Sequence, residues 1–355
     1  MDFNLLIKNV SEQYNKKLPF VIFSLSGSES VSAMLQNTDI LHTIDKLTEN
    51  GFVLASFDYK NDPLFIPESE SKSFESTLIP DEINSVPIAL DEPIKEKDVY
   101  IKLLDKTVDA IKKRKAKKIV ISRQKEFPLK NFSVEQLIKQ LFSAYPTAFR
   151  YVWYHPKTGI WCGATPETLV QVENNSFKTM ALAGTQPFTG KERILWGAKE
   201  IDEQQLVTDE ITNSLQRVTS VLKVSSPYTH RAGSLLHLRT DITGILKNVK
   251  ATLTTIAAAL HPTPAVCGTP QKNARDFILE NESDPREYYT GFLGPISLNG
   301  ASASIMVNLR CMKITDNVAR IFVGGGITLG SNSNDEWVET QNKMQIMLQV
   351  LKPML

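Results

Sequence analysis

The stretch Val318-Ala-Arg-Ile-Phe-Val-Gly-Gly-Gly-Ile-Thr-Leu-Gly330, with Ser331-Asn-Ser-Asn-Asp-Glu-Trp-Val-Glu-Thr-Gln-Asn-Lys343 behind it, organises the reading of this chain. An apolar, β-branched run enters Gly324, Gly325 and Gly326. A Ser/Asn turn comes next, and a helix begins. The three glycines read as a loop whose N–H groups an anion can approach without meeting a Cβ. On the helix, Glu336, Glu339 and Lys343 stand at i, i+3 and i+7, on one face. Two carboxylates and an ammonium beside such a loop suit a metal ion holding an anionic substrate. A plainer alternative stays open: Ser333-x-x-Glu336 has the form of a capping box, and Glu339 to Lys343 that of a solvated i,i+4 pair. The glycines do not spell G-x-G-x-x-G and no ribose-binding acid is found in a β-α-β unit, so a dinucleotide loop is not supported.

The chain has 355 residues, enough for a sizeable core in one domain or two. Hydrophobic residues at 42% and charged residues at 22% are those of a globular protein. A formal charge of +1 supplies no global field toward nucleic acid or membrane. The basic run Lys112-Lys-Arg-Lys-Ala-Lys-Lys118 comes after an amphipathic helix, where cations favour the C-terminal end, so it reads as a solvated helix end. Cys162, Cys267 and Cys311 are too scattered for a disulfide framework or a zinc site and fit a reducing compartment. With no long apolar segment and no signal-like start, the expected location is the cytoplasm.

Residues 1 to about 95 read as short strands, Phe20-Val-Ile-Phe-Ser-Leu and Phe52-Val-Leu-Ala-Ser-Phe, a scaffold portion carrying no chemistry. A Pro/Ser/Glu-rich span from Pro63 to about Pro93 separates it from the remainder of the chain. A helix over 98–113 precedes the strand Lys117-Lys-Ile-Val-Ile-Ser-Arg123, where alternation puts Lys118, Val120 and Ser122 on one face. Lys118 can point into a site or snorkel from the strand's end. After a helix over 133–145 and a strand from Phe149, the turn Gly163-Ala-Thr-Pro presents Glu167 at the start of another strand. Glu167 is either a polar turn residue or a general acid on a rigid backbone.

Ala181-Leu-Ala-Gly-Thr185 offers small residues, Gly184 and Thr185 among them, against which a ligand can lie. A helix expected over 192–221 carries Glu200 and Glu203, a second E-x-x-E pair. Two such pairs on separate helices read as a four-carboxylate site, and oxygen-only ligation points to a hard cation such as Mg²⁺. His237 in Leu235-Leu-His-Leu-Arg-Thr reads by default as a satisfied core histidine. The helix Leu253–Leu260 runs into the ordered loop His261-Pro-Thr-Pro-Ala-Val-Cys-Gly-Thr-Pro270. Arg310, ending the strand Ile305-Met-Val-Asn-Leu-Arg, is placed to clamp a carboxylate.

Taken together, Lys118-Ile-Val-Ile-Ser-Arg, Gly163-Ala-Thr-Pro-Glu, Ala181-Leu-Ala-Gly-Thr, Leu260-His-Pro-Thr-Pro-Ala and Gly324-Gly-Gly-Ile with Glu336-Trp-x-Glu and Lys343 resemble the chorismate-utilising enzymes. That family includes anthranilate synthase large subunits, aminodeoxychorismate, salicylate and isochorismate synthases. The resemblance covers roughly residues 95 to 355, is looser before that, and is nearest to isochorismate synthase. Gln204 and Gln186 depart from it, standing where the family usually has histidine and often has arginine.

The resemblance implies one catalytic domain over 1–355, its chorismate-binding region at 96–355. The implied fold is an α/β (α+β) sandwich of large, mostly antiparallel sheets flanked by helices, as in anthranilate synthase large subunits. It implies a Mg²⁺-dependent isomerase turning chorismate into isochorismate, with no nucleic acid, membrane or obligatory protein partner. Lys118 would be the base for water attacking C2 and Glu167 the acid for the departing C4 hydroxyl. For that, Lys118 must be neutral and Glu167 protonated, the directions in which burial pushes each. Glu203 and Glu339, with Glu200 and Glu336 direct or through water, would hold Mg²⁺. The implied substrate contacts are Gly184, Thr185, His237, Ala265, Val266, Tyr289, Arg310, Gly324, Gly325, Gly326 and Lys343. Two alternatives stand: a salicylate synthase that goes on to eliminate pyruvate, and a non-catalytic metal- or anion-binding module. The downstream pathway, menaquinone or catechol siderophore, is not written in the chain.

Overall fold

The computed structural model describes residues 1–58, 62–78, 87–90, 92–188, 194–232, 235–247 and 252–355. Among these residues two large sheets face each other, every strand pairing antiparallel. The first runs, edge to edge, Gly268–Thr269, Lys118–Pro128, Val318–Ile327, Cys311–Thr315, Gly159–Thr165, Phe149–His155, Phe20–Ser24, Ser30–Gln36 and Ser71–Thr77. The second runs Thr219–Val224, Leu235–Leu246, Ser176–Pro187, Thr168–Glu173, Ser302–Val307, Phe292–Ser297, Gly51–Ala55, Leu64–Pro67 and His42–Thr43, with Tyr228–Ala232 also on Leu235–Leu246. The expected helix-flanked antiparallel sandwich is what forms.

Period-two alternation builds its three layers of core. On the strand Phe20–Ser24, Val21 and Phe23 point between the sheets, joining Tyr151, Trp153, Trp161 and Phe322 against Phe52, Leu54, Leu293 and Met306. Phe20 and Ile22 point outward, where the helices Phe3–Asn15, Val134–Ala144 and Ser333–Leu351 cover the first sheet. The helices Ala198–Leu215 and Leu253–Leu260 cover the second sheet, burying Val207, Ile211, Leu215, Ile256 and Leu260. Each such side chain contributes about 1.5–3 kcal/mol when fully buried. The helices Ile94–Lys112 and Gln271–Asn281 close one end of the first sheet around Ile119, Ile121, Ile327 and Trp337.

Four sequence expectations are corrected here. Residues 1–95 are more than short strands: Phe3–Asn15 is a helix started by the Asp2 carboxylate, which accepts from the amides of Asn4 and Leu5. The span from Pro63 to Pro93 contains Leu64–Pro67 and Ser71–Thr77, which lie in different sheets; 79–86 and 91 fall outside the described residues. The helix expected over 192–221 is confined to Ala198–Leu215, and Thr219–Val224 is an edge strand whose largely exposed side chains leave no alternating burial to read; 189–193 fall outside the described residues. Gly324–Gly326 are not a loop. They continue the strand Val318–Ile327, in register with Ser122, Ile121 and Val120.

The basic run does lie on a solvated helix end, with Lys112 to Lys115 exposed. The three cysteines are buried free thiols. No described helix is long and apolar enough to cross a membrane.

Candidate active site

Two chain crossings between the sheets fix the chemistry. Pro166–Glu167 links Gly159–Thr165 of the first sheet to Thr168–Glu173 of the second, and Asn308–Arg310 links Ser302–Val307 of the second to Cys311–Thr315 of the first. The crossings are stitched together: Thr165 Oγ1 donates to the Val307 carbonyl at 2.6 Å, and the Val307 amide donates to the Glu167 carbonyl at 3.0 Å. Glu167 and Arg310 therefore enter one cavity from rigid backbone. That cavity, about 820 Å³ with its open mouth, is lined by every candidate named from the sequence: Lys118, Glu167, Gly184, Thr185, Glu200, Glu203, His237, Ala265, Val266, Tyr289, Arg310, Gly324, Gly325, Gly326, Glu336, Glu339 and Lys343.

Lys118 does not snorkel. It is 1% exposed, lines the cavity, and its Nζ donates to Glu203 Oε1 at 2.8 Å, so of its two readings the one pointing into a site is the one observed. Glu167, 5% exposed, accepts from Thr263 Oγ1 at 3.3 Å. Burial pushes its carboxyl up to about 7, against the opposing pull of Lys118, Thr263 and Arg310. His237 is buried, its Nδ1 near Thr185 Oγ1 and the Gly184 carbonyl, both at 3.2 Å. Burial, with Arg310 and Lys343 nearby, lowers it to about 3, so the ring is neutral. Its Nε2 is buried and has no protein partner, which corrects its default reading as a satisfied core histidine.

The glycines are needed for what their missing side chains leave open. A Cβ on Gly325 would stand 3.1 Å from Glu336 Oε2 and 3.9 Å from Glu339 Oε1; one on Gly326 would stand 2.7 Å from Lys118 Cε and 2.9 Å from Glu203 Oε1. Ser122 and Val120 turn their own amides outward, to Glu282 and to the Cys267 carbonyl. Their register partners Gly324 and Gly326 therefore direct their amides to the opposite edge. The next ladder stops at Ile321, which leaves that edge open.

On the helix Ser333–Leu351 the capping-box reading fails. Asn332 is the cap, accepting from the amides of Asn334 and Asp335, which frees Glu336 to turn inward, 3% exposed. Glu336 meets Lys199 Nζ at 3.2 Å, and burial together with repulsion from Glu339 raises its carboxyl. Glu339 meets Lys343 Nζ at 2.5 Å; burial alone would raise it, but Lys343, Lys199 and Arg310 hold it below its ordinary value. Lys343 also donates to the Gly324 carbonyl at 2.8 Å, so it is not a solvated surface residue.

The carboxylate set fits a hard divalent cation in its chemistry. Glu203, Glu336 and Glu339 offer oxygen alone around a cradle that a Cβ on Gly325 or Gly326 would fill. Among the described residues no three acidic, histidine or cysteine side chains converge closely enough to hold a metal ion as they stand, and three of the four glutamates hold lysine ammonium groups.

Sequence reasoning missed Lys199, although it stands four residues before Glu203 on the same helix. It missed Arg286, which grips Glu282 with two nitrogens at 2.6 and 2.8 Å and donates to the carbonyls of Val120 and Val266, fixing two cavity walls. The departures lie outside the cavity lining: Gln204 is buried, donating to the Ala181 carbonyl and Thr240 Oγ1, and Gln186 pairs with Leu236. An outer groove sharing Pro166 and Arg310 is lined by Lys178, Arg231 and the Asp241-paired Arg239 and, among the described residues, by no Asp or Glu.

A family model described as chorismate binding enzyme matches residues 66–352. The isochorismate synthase DhbC of Bacillus subtilis is 32% identical over 198 residues, 53% of this chain and 50% of that protein; the chain thus spans about half the length of this relative. The solved structure of DhbC from Bacillus anthracis superposes with a TM-score of 0.80 at 25% identity, over 98% of this chain and 99% of that one. Anthranilate synthase component I of Streptococcus pneumoniae shares the fold, with a TM-score of 0.69 at 18% identity over 92% and 90% of the two chains.

Proposed function

The chain belongs to the chorismate-binding enzyme family, and from that premise we propose that it is an isomerase converting chorismate to isochorismate. The observation that carries this reading is the pairing of Lys118 and Glu167 in one cavity, both buried, with the Glu167 carboxyl pushed up to about 7. Removing a proton from water at one position of a ring while delivering one to a hydroxyl at another needs a base and an acid that both face the cavity holding the ring.

Lys118 takes a proton from the water that attacks C2. The ring double bonds shift, the C4–O bond breaks, and Glu167 gives its proton to the departing oxygen, which leaves as water. One water enters and one leaves, so the reaction is an isomerisation. A lysine is a base only when neutral, so Lys118 must give up its proton before it acts; its Nζ lies 2.8 Å from Glu203 Oε1. Arg310, Lys343, Tyr289 and the outward amides of Gly324 and Gly326 bind the substrate's carboxylates, the enolpyruvyl group in particular. His237 lines the cavity as a neutral ring.

Glu203 and Glu339, with Glu200 and Glu336 direct or through water, would hold Mg²⁺, which would bind the ring carboxylate and offset its charge. The test is the product formed from chorismate and Mg²⁺. Isochorismate without pyruvate supports the proposal, pyruvate with a fluorescent phenol makes the chain a salicylate synthase, and unchanged chorismate makes it a binding module.

A further inference from the structure

Among the described residues, Lys199 is the one ammonium in the cavity that the proposed chemistry leaves without a task. It sits in the first turn of the helix Ala198–Leu215, where the partial positive charge of the helix N-terminus disfavours a cation. The helix gains nothing from it there. Its Nζ instead crosses to Glu336 on the opposite helix, at 3.2 Å, and the fields of Glu336, Glu203 and Glu339 all act on it.

The three lysine–carboxylate pairs of the site differ in their freedom. Lys118 is 1% exposed and its Cε packs against Gly326, so it has nowhere to go. Lys343 is 10% exposed and also tied to the Gly324 carbonyl. The Lys199 side chain is 38% exposed, on a long flexible stem whose head can return to water. Its partner Glu336 is 3% exposed and cannot follow it.

We propose that Lys199 is a tethered counter-cation, which neutralises the buried Glu336 while the carboxylate cluster lacks a metal and swings out to solvent when a divalent cation enters. The inference rests on the reading that the four glutamates take such a cation. An incoming divalent ion repels all three ammonium groups, and Lys199, the most exposed of them, is the one with a path to water, so it is the one displaced. The lysine keeps the empty site folded and lowers its affinity for the metal.

The test is calorimetric titration of the whole protein with MgCl₂, without substrate, for wild type, Lys199→Met and Lys199→Arg. Melting temperatures are recorded with and without Mg²⁺. Lys199→Met should bind Mg²⁺ about tenfold more tightly, equivalent to about 1.4 kcal/mol. It should also melt lower than wild type without the metal and gain more from adding it. Lys199→Arg keeps the charge and should stay within about twofold of wild type, a factor worth only about 0.4 kcal/mol. Lys199→Gln replaces the methionine variant if that chain does not fold. Equal or weaker Mg²⁺ binding by the uncharged variants would overturn the proposal while leaving the cation site standing. Absence of Mg²⁺ binding in all variants would overturn both.

Discussion

Lys118 Nζ stands 2.8 Å from Glu203 Oε1, a pair that ties the strand Lys118–Pro128 to the helix Ala198–Leu215 across the cavity. The proposed base is thus in contact with a proposed metal ligand, and substitutions at the two positions should separate their tasks. Lys118→Gln can still donate a hydrogen bond to Glu203 but cannot take a proton. It should lose about a hundred- to ten-thousand-fold in kcat while still binding chorismate. Steady-state kinetics with a direct binding titration checks this, and normal turnover would move the base elsewhere.

Glu167 sets the pH dependence. Its carboxyl is protonated up to about 7, so the acid form is present below that pH and lost above it. Wild-type kcat/KM should fall as pH rises through 7, and Glu167→Gln should be slow and lack that limb. Stability carries the same sign. Between the ordinary 4.5 and about 7 the folded protein holds a proton that the unfolded chain has released, so raising the pH across this window costs stability. Thermal melts from pH 5 to 8 should show a smaller decline for Glu167→Gln than for wild type. Equal declines and an unchanged kcat would make Glu167 a turn residue.

Chelation should abolish turnover, and Mg²⁺ should restore it. Glu203→Gln and Glu339→Gln each remove a charged oxygen donor and should be inactive at millimolar Mg²⁺ while remaining folded. Full activity in excess chelator contradicts the metal role.

Gly325→Ala tests the cradle without backbone strain. The added methyl would come within 3.1 Å of Glu336 Oε2 and force the carboxylates to shift. Mg²⁺ binding, measured by calorimetry, should weaken several-fold with the melting temperature little changed. Gly326→Ala, whose methyl would meet both Lys118 and Glu203, should be the more damaging of the two in kcat.

Much of this site was legible because its residues come in patterns that the backbone period enforces. Glu336, Glu339 and Lys343 share a helix face by spacing alone, and alternation put Lys118 and Val120 on the same side of a strand; both predictions hold in the cavity lining. The glycines misled because three in succession read locally as a loop. Their neighbours Val120 to Ser122 are far away in sequence, and the ladder with them makes the segment a strand. Lys199 and Arg286 were illegible for a related reason. A surface-like lysine on a polar helix becomes a cavity residue only when a second helix places Glu336 opposite it, and Arg286 is held through carbonyls that no sequence pattern marks. The helix Phe3–Asn15 was missed because only Leu6, Ile7, Val10 and Gln13 are buried along it, a narrow stripe in a polar segment.

The central claim is that water attacks C2 while the C4 oxygen leaves, with Lys118 and Glu167 as base and acid. The most direct test is to run the reaction on chorismate with Mg²⁺ in ¹⁸O-labelled water and analyse the isochorismate by mass spectrometry at low conversion. The account predicts a single ¹⁸O in each product molecule, at the C2 hydroxyl. Unlabelled isochorismate, in which the original C4 oxygen has migrated to C2, would contradict it.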